Sequence, residues 1–230
     1  MKTKKLDLKK DGILITKAFI NPDEARKLGE TILTIQPELK SGKESQKKLT
    51  YYELVAKDHP FSYQRDVSDD GMIDIFNLQK YNGDLGDKIL NIATEIIQYL
   101  PSEKSWRIAT CNAYINNNVL KTRSWHCDDF RDDYKGFIYL TDVSLKDGPY
   151  AYVRGSHNRR ILEKINIVYA KLSKRKSSDK RFITKSKVMI LTGSAGDLIV
   201  SNQRGAHRGI SQEQGALRVL LSFRFLANEK

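Results

Sequence analysis

The stretch GFIYLTDVSLKDGPYAYVRGSH, residues 136–157, holds two apolar runs separated by a polar turn. The turn contains Asp147, Gly148 and Pro149, residue types that commonly reverse the chain between strands. Similar runs of about five to eight residues, rich in β-branched and aromatic side chains, recur on both sides of it. They are WRIATCNAYIN (106–116), KVMILT (187–192), LIVSN (198–202) and ALRVLLSFRFL (216–226). The second half of the chain is therefore predicted to form short strands.

The first hundred residues carry helix signals as well. Asn21 is a good N-cap and Pro22 suits the first helical position, so a helix is predicted to begin there. Apolar side chains then repeat at helical spacing, at Ala25, Leu28, Ile32 and Ile35. A second amphipathic helix is predicted over 84–99. Many short strands preceded by helices indicate a mainly β protein with helices, whose core is a double-stranded β-helix (a cupin-like jelly roll) packed by N-terminal helices. We expect one domain over residues 1–230.

Composition narrows the class of protein. Hydrophobic residues make up 40% of the 230 residues. No apolar run approaches the ~20 residues that span a bilayer. Cys111 and Cys127 form neither a disulfide framework nor a zinc-binding spacing. These features predict a cytoplasmic protein without a membrane span.

Positive charge is concentrated in one segment. The formal net charge is +12, and residues 159–187 hold eleven Lys or Arg against Glu163 and Asp179. The segment starts with helical spacing and interrupts the strand pattern, so we predict a basic insertion at about 159–187. Two interpretations remain open, because such a segment either attracts an anionic partner or forms a solvated surface.

A candidate metal site lies in SWHCDDFRDD, residues 124–133. His126 and Asp128 are two residues apart, and alternate side chains of a strand share a face. A distant second histidine would complete the facial triad that suits non-haem Fe(II). His207 follows an apolar strand in GDLIVSNQRGAHRG, residues 196–209. The tripeptide alone is weak evidence, since a histidine beside acids also arises by chance on a charged surface.

Arg218 strengthens the metal hypothesis. It follows His207 by eleven residues and lies within an apolar strand. An arginine on an interior strand is costly unless a carboxylate meets its guanidinium group, and a dicarboxylate ligand would provide one.

Together these motifs resemble the phytanoyl-CoA dioxygenase superfamily of Fe(II)/2-oxoglutarate-dependent oxygenases. The resembling segments are WHCDD, the quoted stretch 136–157, GDLIVSNQRGAHRG and the later LR, with DGILITKAFINPDEA (11–25) similar to the family's start. One departure is Arg154, where the family commonly has proline. The ligand positions show no departure.

The resemblance implies a site. His126, Asp128 and His207 would bind Fe(II), and Arg218 would bind the distal carboxylate of 2-oxoglutarate. Spacing from His207 favours Arg218 over Arg224 for this role. Lesser contacts with the cosubstrate are expected from three polar residues, Asn112, Asn116 and Ser201.

The residues beside His126 and Asp128 suggest further roles. Trp125 and Arg131 lie next to this pair and are expected to contact the substrate. Arg204 and Arg208 flank His207 and could meet either an anionic substrate or solvent. The remaining acids are expected to be surface or loop charges: Asp129, Asp132 and Asp133.

The resemblance implies hydroxylation of a small molecule, which could be anionic, with consumption of O2 and release of succinate and CO2. Related halogenases lack the carboxylate, so Asp128 favours hydroxylation or another oxidation. The alternative is a non-catalytic cupin-like binding module that uses its basic surface to bind an anionic partner. Nucleic acid is disfavoured as that partner because no RNA-recognition or helix-turn-helix signature is present.

Overall fold

The computed structural model describes residues 6–67, 69–131, 133–174 and 176–228, so Asp132 lies outside the described residues. Five α-helices are present in this part of the chain: α1 (Leu8–Asp11), α2 (Pro22–Ile35), α3 (Tyr51–Val55), α4 (Asp84–Ile97) and α5 (Arg160–Leu172). None of the described helices is long and apolar enough to cross a membrane.

The described strands follow one another in chain order as β1 (Ile13–Thr16), β2 (Ser41–Lys43), β3 (Phe61–Arg65), β4 (Met72–Phe76), β5 (Trp106–Asn117), β6 (Asp133–Tyr139), β7 (Tyr150–Val153), β8 (Val188–Leu191), β9 (Leu198–Asn202), β10 (His207–Gly209) and β11 (Leu217–Ala227). Eight of them form a mixed sheet in the order β1-β9-β6-β11-β5-β4-β3-β2, in which only β2 and β3 pair in parallel. The other three form an antiparallel sheet in the order β10-β7-β8. The prediction of a mainly β protein with helices is confirmed.

Successive side chains of β11 show how the two sheets and the helices pack. Leu220 belongs to an apolar cluster that also holds Phe137 of the large sheet and Tyr152 of the small one, so this cluster lies between the sheets. Leu221 and Phe223 belong instead to the cluster built with α2 and α4. Because successive side chains of a strand point to opposite faces, one strand supplies both cores. Helices α2 and α4 therefore cover one face of the large sheet, and the small sheet covers the other.

The first predicted helix forms as its capping signals indicate. The Asn21 side chain accepts hydrogen bonds from the backbone N–H groups of Asp23 and Glu24, and Pro22 occupies the first helical position. These bonds satisfy donors that the first turn of a helix otherwise leaves unpaired. The second predicted helix, α4, ends at Ile97 and buries Ile89, Ile92 and Ile96.

A short helix, α3, forms in a largely polar part of the chain. α3 forms there on a capping box, in which Thr50 accepts from the Glu53 backbone N–H and the Glu53 side chain accepts from the Thr50 N–H. Such a box stabilises a short helix without an apolar stripe.

The basic segment 159–187 begins with α5. Glu163 on this helix forms a bidentate ion pair with Arg204, with N–O distances of 2.7 and 2.6 Å and little exposure of either side chain. The pair fixes α5 against the turn that precedes β10. On the opposite side of the helix an apolar stripe faces outward, formed by Ile161, Ile165, Val168 and Leu172.

Candidate metal centre and its cavity

The side chains of His126, Asp128 and His207 converge on one point, where they could bind a metal. The Nε2 atoms of His126 and His207 each lie 3.5 Å from Oδ1 of Asp128. One donor atom from each residue can be chosen so that all lie within 4.8 Å of one another. Donors bound to one transition metal at about 2.1 Å stand roughly 3 Å apart, so the three residues are close to a ligating arrangement.

Backbone pairing brings the two histidines together. The His126 N–H donates to the His207 carbonyl oxygen at 3.0 Å, and the His207 N–H donates back at 2.9 Å. The Asp128 N–H donates to the Gln203 carbonyl oxygen at 3.0 Å. We expected His126 and Asp128 on a regular strand, but their segment forms only isolated bridges. These bridges still give the local alternation that turns both side chains toward one point.

Hydrogen bonding fixes the tautomer of each ring. Nδ1 of His126 lies 2.8 Å from the Ser124 carbonyl oxygen, and Nδ1 of His207 lies 3.0 Å from that of Gly205. A carbonyl oxygen only accepts, so each Nδ1 carries the proton and donates it. Each ring therefore has Nε2 as the nitrogen that faces Asp128 and is available to a metal, which is the arrangement of metal-binding histidines.

Lys135 orients the carboxylate of the cluster. Its ammonium group lies 2.6 Å from Oδ2 of Asp128, which leaves Oδ1 directed at the two rings. Lys135 is on β6, where it shares a face with Phe137 and Tyr139, both of which pack between the sheets. The lysine therefore projects from an otherwise apolar face into the site.

The charge states favour a cation at the centre. Burial, together with the adjacent His207, lowers the pKa of His126 to about 3, so this ring is neutral at physiological pH. Burial opposes ionisation of Asp128, but Lys135 and the two imidazoles outweigh it and hold the pKa of Asp128 well below its ordinary value. A neutral imidazole beside an ionised carboxylate is ready to bind a divalent metal without first losing a proton.

The cluster opens into a cavity of about 200 Å³ that Arg218 also lines. Arg218 is 6% exposed, and its Nε and Nη1 atoms are buried with no hydrogen-bond partner among the described residues. Burial lowers the pKa of this guanidinium. Asn116 is paired with Arg218 in register across β5 and β11, and its side-chain oxygen is likewise buried without a partner. Buried polar atoms of this kind indicate a missing hydrogen-bonding ligand.

Two expected cosubstrate contacts lie outside the cavity lining. Asn112 is buried, and its side-chain oxygen accepts from the backbone N–H of Asn77 at 3.2 Å. It is four residues from Asn116, roughly 13 Å along a strand, so the two side chains do not reach the same point. Ser201 is also buried. Its hydroxyl contacts the Tyr150 hydroxyl at 3.1 Å and accepts a hydrogen bond from the Gln203 side-chain amide at 2.8 Å.

The two expected substrate contacts also lie outside the cavity lining. Arg131 has a largely exposed side chain that pairs with Asp129 at 3.0 Å. Trp125 contributes its backbone carbonyl to a hydrogen bond from Lys180 at 2.7 Å. Their position beside His126 and Asp128 in the sequence did not place either side chain in the cavity lining.

Arg224 and Asp133 form a separate ion pair. Asp133 is 1% exposed and pairs with the Arg224 guanidinium, which also approaches Asp129 at 3.6 Å. The expectation that Asp133 is a surface charge is therefore wrong, because the residue begins β6 and faces inward. Arg224 does not line the cavity, whereas Arg218 does.

Arg204 and Arg208, which flank His207 in the sequence, have different surroundings in the structure. Arg204 is buried in its ion pair with Glu163 and does not line the cavity. Arg208 lines the cavity, donates to the Gly209 carbonyl oxygen at 3.1 Å and donates to the Thr122 hydroxyl at 2.9 Å.

Sequence reasoning missed Lys135 and Gln203. Lys135 could have been found from the period-two pattern of DYKGFIY, in which a lysine shares a face with Phe137 and Tyr139. Gln203 is fully buried and lines the cavity with a side-chain oxygen that has no partner. It lies in the turn after β9, where no periodicity indicates the direction of a side chain.

Comparisons with known proteins complete the description. No family model matches this chain, and no curated protein matches it by sequence. Solved structures do. The epimerase SnoN, crystallised with Fe3+, alpha ketoglutarate and nogalamycin RO, superposes with a TM-score of 0.60 and 15% identity over 95% of this chain and 80% of that one. HygX from Streptomyces hygroscopicus, with nickel and 2-oxoglutarate bound, superposes with a TM-score of 0.57 and 12% identity over 95% of this chain and 84% of that one.

The carbocyclase SnoK from nogalamycin biosynthesis, a non-heme alpha ketoglutarate dependent enzyme, gives a TM-score of 0.59 and 13% identity over 95% of this chain and 80% of that one. At such low identity the likeness concerns the fold alone. The chain thus has the fold found in SnoN, HygX and SnoK, and it carries a His/Asp/His cluster beside a buried arginine.

Proposed function

We propose that this protein is an Fe(II)- and 2-oxoglutarate-dependent oxygenase that hydroxylates a small molecule, built on a double-stranded β-helix and related to the phytanoyl-CoA dioxygenase superfamily. The observation that carries the proposal is the buried guanidinium of Arg218, two of whose nitrogens have no hydrogen-bond partner among the described residues, in the same cavity as the His126, Asp128 and His207 cluster. The fold of SnoN and HygX, which were crystallised with a metal and 2-oxoglutarate, supports it.

The donor set fits Fe(II). Two imidazoles and one carboxylate form the facial triad of non-haem iron sites, which leaves coordination positions for cosubstrate and O2. His126 and His207 would each bind through Nε2, since Nδ1 is occupied by a backbone carbonyl. Asp128 would bind through Oδ1, since Lys135 occupies Oδ2.

The cavity fits 2-oxoglutarate. A carboxylate accepts charge-assisted hydrogen bonds from a guanidinium group, and two nitrogens of Arg218, Nε and Nη1, are buried without a partner among the described residues. A ligand with a carboxylate at each end could contact Arg218 at one end and the metal at the other. Asn116 adds an unpartnered side-chain oxygen on the neighbouring strand, which we propose as a lesser contact.

When bound, Fe(II) and 2-oxoglutarate would supply the oxidising power of O2, with release of succinate and CO2. The chain's own residues would orient the reactants. Phe137 and Leu220 line the cavity with apolar surface that excludes water, and both belong to the core between the sheets. Because that core is well packed, the site is expected to be rigid. The hydroxylation outcome rests on Asp128, because the carboxylate occupies a coordination position that a halide would need.

We further propose that the protein acts in the cytoplasm. Both cysteines are free and buried, which suits a reducing compartment.

The test is cosubstrate turnover. The metal-free chain would be loaded with Fe(II) and 2-oxoglutarate under air, and succinate would be measured. We expect succinate to form slowly without substrate and not to form in Asp128→Ala. Asp87→Ala, which removes an exposed carboxylate on α4, is the matched control and should keep the activity. Equal turnover by the chain and Asp128→Ala would refute the assignment of the metal ligands. No binding of metal and 2-oxoglutarate would refute the proposal and favour the non-catalytic binding module.

A further inference from the structure

Arg208 differs from the other cations of the cavity. Three of them face carboxylates: Arg65 meets Asp74 at 2.6 Å, Arg123 approaches Asp179 at 3.5 Å, and Lys135 meets Asp128 at 2.6 Å. The proposed cosubstrate would neutralise Arg218. Among the described residues, Arg208 meets no carboxylate at all.

The position of Arg208 is fixed all the same. Its Nε donates to the carbonyl oxygen of Gly209, and its Nη2 donates to the hydroxyl of Thr122. Both acceptors are neutral, so they hold the guanidinium in place without cancelling its charge. The group lines the cavity with donors left over, since a guanidinium carries five N–H bonds. A planar, held guanidinium of this kind matches the oxygens of a phosphate group.

A basic groove continues from the cavity to the surface. Arg65, Asp69, Thr122 and Arg123 line both the cavity and this groove, so the two are joined. Farther out, the groove is lined by four lysines, Lys48, Lys121, Lys174 and Lys176, which we call the lysine groove. None of these four lysines forms an ion pair with a described residue. Lysine is a common phosphate ligand because its ammonium group acts as a mobile point charge.

We propose that the substrate is a phosphorylated small molecule, held by Arg208 at the cavity and by the lysine groove outside it. This inference rests on the proposed function, since it takes Arg218 to be occupied by the cosubstrate. The two basic surfaces meet at Thr122 and Arg123, so one ligand can reach both. Carboxylates in the groove are fewer than its cations, and Asp69 and Asp179 already meet arginines.

The test uses phenyl phosphate as a probe and phenol as its uncharged analogue. The full chain would be loaded with Mn(II) and 2-oxoglutarate, and binding would be followed by calorimetry and by the paramagnetic relaxation of the ³¹P nucleus. We expect phenyl phosphate to bind near the metal, phenol not to bind, and added salt to weaken the binding. Arg208→Gln should weaken it about tenfold or more.

Matched controls separate this site from general charge. Arg107→Gln removes an exposed arginine that lines neither surface and should leave binding unchanged. Lys121→Gln combined with Lys176→Gln should weaken binding and reduce its salt dependence, whereas Lys27→Gln combined with Lys185→Gln should not. Circular dichroism of each variant would show that the fold is kept.

Two results would overturn the inference. One is phenyl phosphate binding that Arg208→Gln leaves unchanged, since the probe would then be held by the metal or elsewhere. The other is competition between phenyl phosphate and 2-oxoglutarate together with loss of binding in Arg218→Met, which would place the probe in the cosubstrate position. Phosphate binding through Arg208 in a chain that lacks 2-oxoglutarate turnover would refute the proposed function and keep the anion site. Turnover of 2-oxoglutarate without phosphate binding would refute the phosphate site and keep the proposed function.

Discussion

Lys135 holds one oxygen of Asp128 at 2.6 Å, while the other oxygen lies 3.5 Å from the Nε2 atom of each histidine. The carboxylate is therefore shared between a permanent cation and the place where a metal would bind. A lysine so close to a metal centre has two opposite effects, because it orients a ligand and also repels the metal.

Replacement of Lys135 by methionine tests which effect is larger. Loss of an orienting contact typically lowers metal affinity by about 10- to 100-fold. Like charges a few ångströms apart repel by several kcal/mol even at an effective dielectric constant of about 20. We therefore expect Lys135→Met to bind Mn(II) more tightly, as measured by calorimetry. Lys88→Met, which breaks the remote Lys88–Glu24 pair, should not change the affinity. Weaker binding in Lys135→Met would show that orientation dominates.

Arg218 is expected to reduce stability in the absence of ligand. Its guanidinium is buried and meets no carboxylate in the described part of the chain, which is a costly arrangement. Arg218→Met should raise the free energy of unfolding by about 1–3 kcal/mol and abolish the stabilisation that 2-oxoglutarate gives to the metal-loaded protein. Urea unfolding with and without the cosubstrate measures both effects. A variant less stable than the parent chain would contradict an unpaired Arg218.

Arg224 should behave in the opposite way, because its partner Asp133 is buried. Arg224→Met should lower the free energy of unfolding by about 3–5 kcal/mol at pH 7.5, since an isolated buried carboxylate remains.

The loss of unfolding free energy in Arg224→Met should depend on pH. Burial already raises the pKa of Asp133, although Arg224 opposes the rise, so removing the arginine raises this pKa further. A carboxyl group with a raised pKa in the folded state destabilises the protein above that pKa and is relieved as the pH falls through it. Urea midpoints at pH 5 and pH 7.5 should therefore differ less from those of the parent chain at the lower pH. A deficit independent of pH would show that lost packing, and not charge, is responsible.

The Arg204–Glu163 pair is expected to hold α5 in place. Glu163→Ala leaves Arg204 buried without a carboxylate and should lower the free energy of unfolding by about 3 kcal/mol. Hydrogen exchange should quicken first in α5, because the pair joins this helix to the turn before β10. Lys164→Ala, at an exposed neighbouring position, is the control. Unchanged exchange in α5 would show that other contacts anchor the helix.

Cys111 is expected to be inert in the native protein. It is fully buried on β5, and burial raises the pKa of its thiol to about 12. At pH 8 only about one thiol in ten thousand would be ionised, and the thiolate is the reactive form. Iodoacetamide should therefore label Cys111 only after unfolding, as peptide mass spectrometry would show. Rapid labelling of the native chain would mean that β5 opens readily.

Much of the fold was predictable because its signals are local. Asn21 and Pro22 start α2 through bonds within one turn, and the apolar alternation of 216–226 predicts β11 without knowledge of its partners. α3 escaped prediction because its stabilising bonds run between Thr50 and Glu53, polar residues that leave no apolar period.

The sequence by itself determined the kinds of chemical group present: two histidines and a carboxylate able to bind a metal, and an arginine within an apolar strand. Tertiary structure alone decided which charges are neutralised. Arg204 meets Glu163, 41 residues away, and Arg224 meets Asp133, 91 residues away, whereas Arg208 and Arg218 meet no carboxylate of the residues that the structure describes. The physical reason is that periodicity fixes the face of a strand on which a side chain lies, while the partner on that face is supplied by another segment of the folded chain.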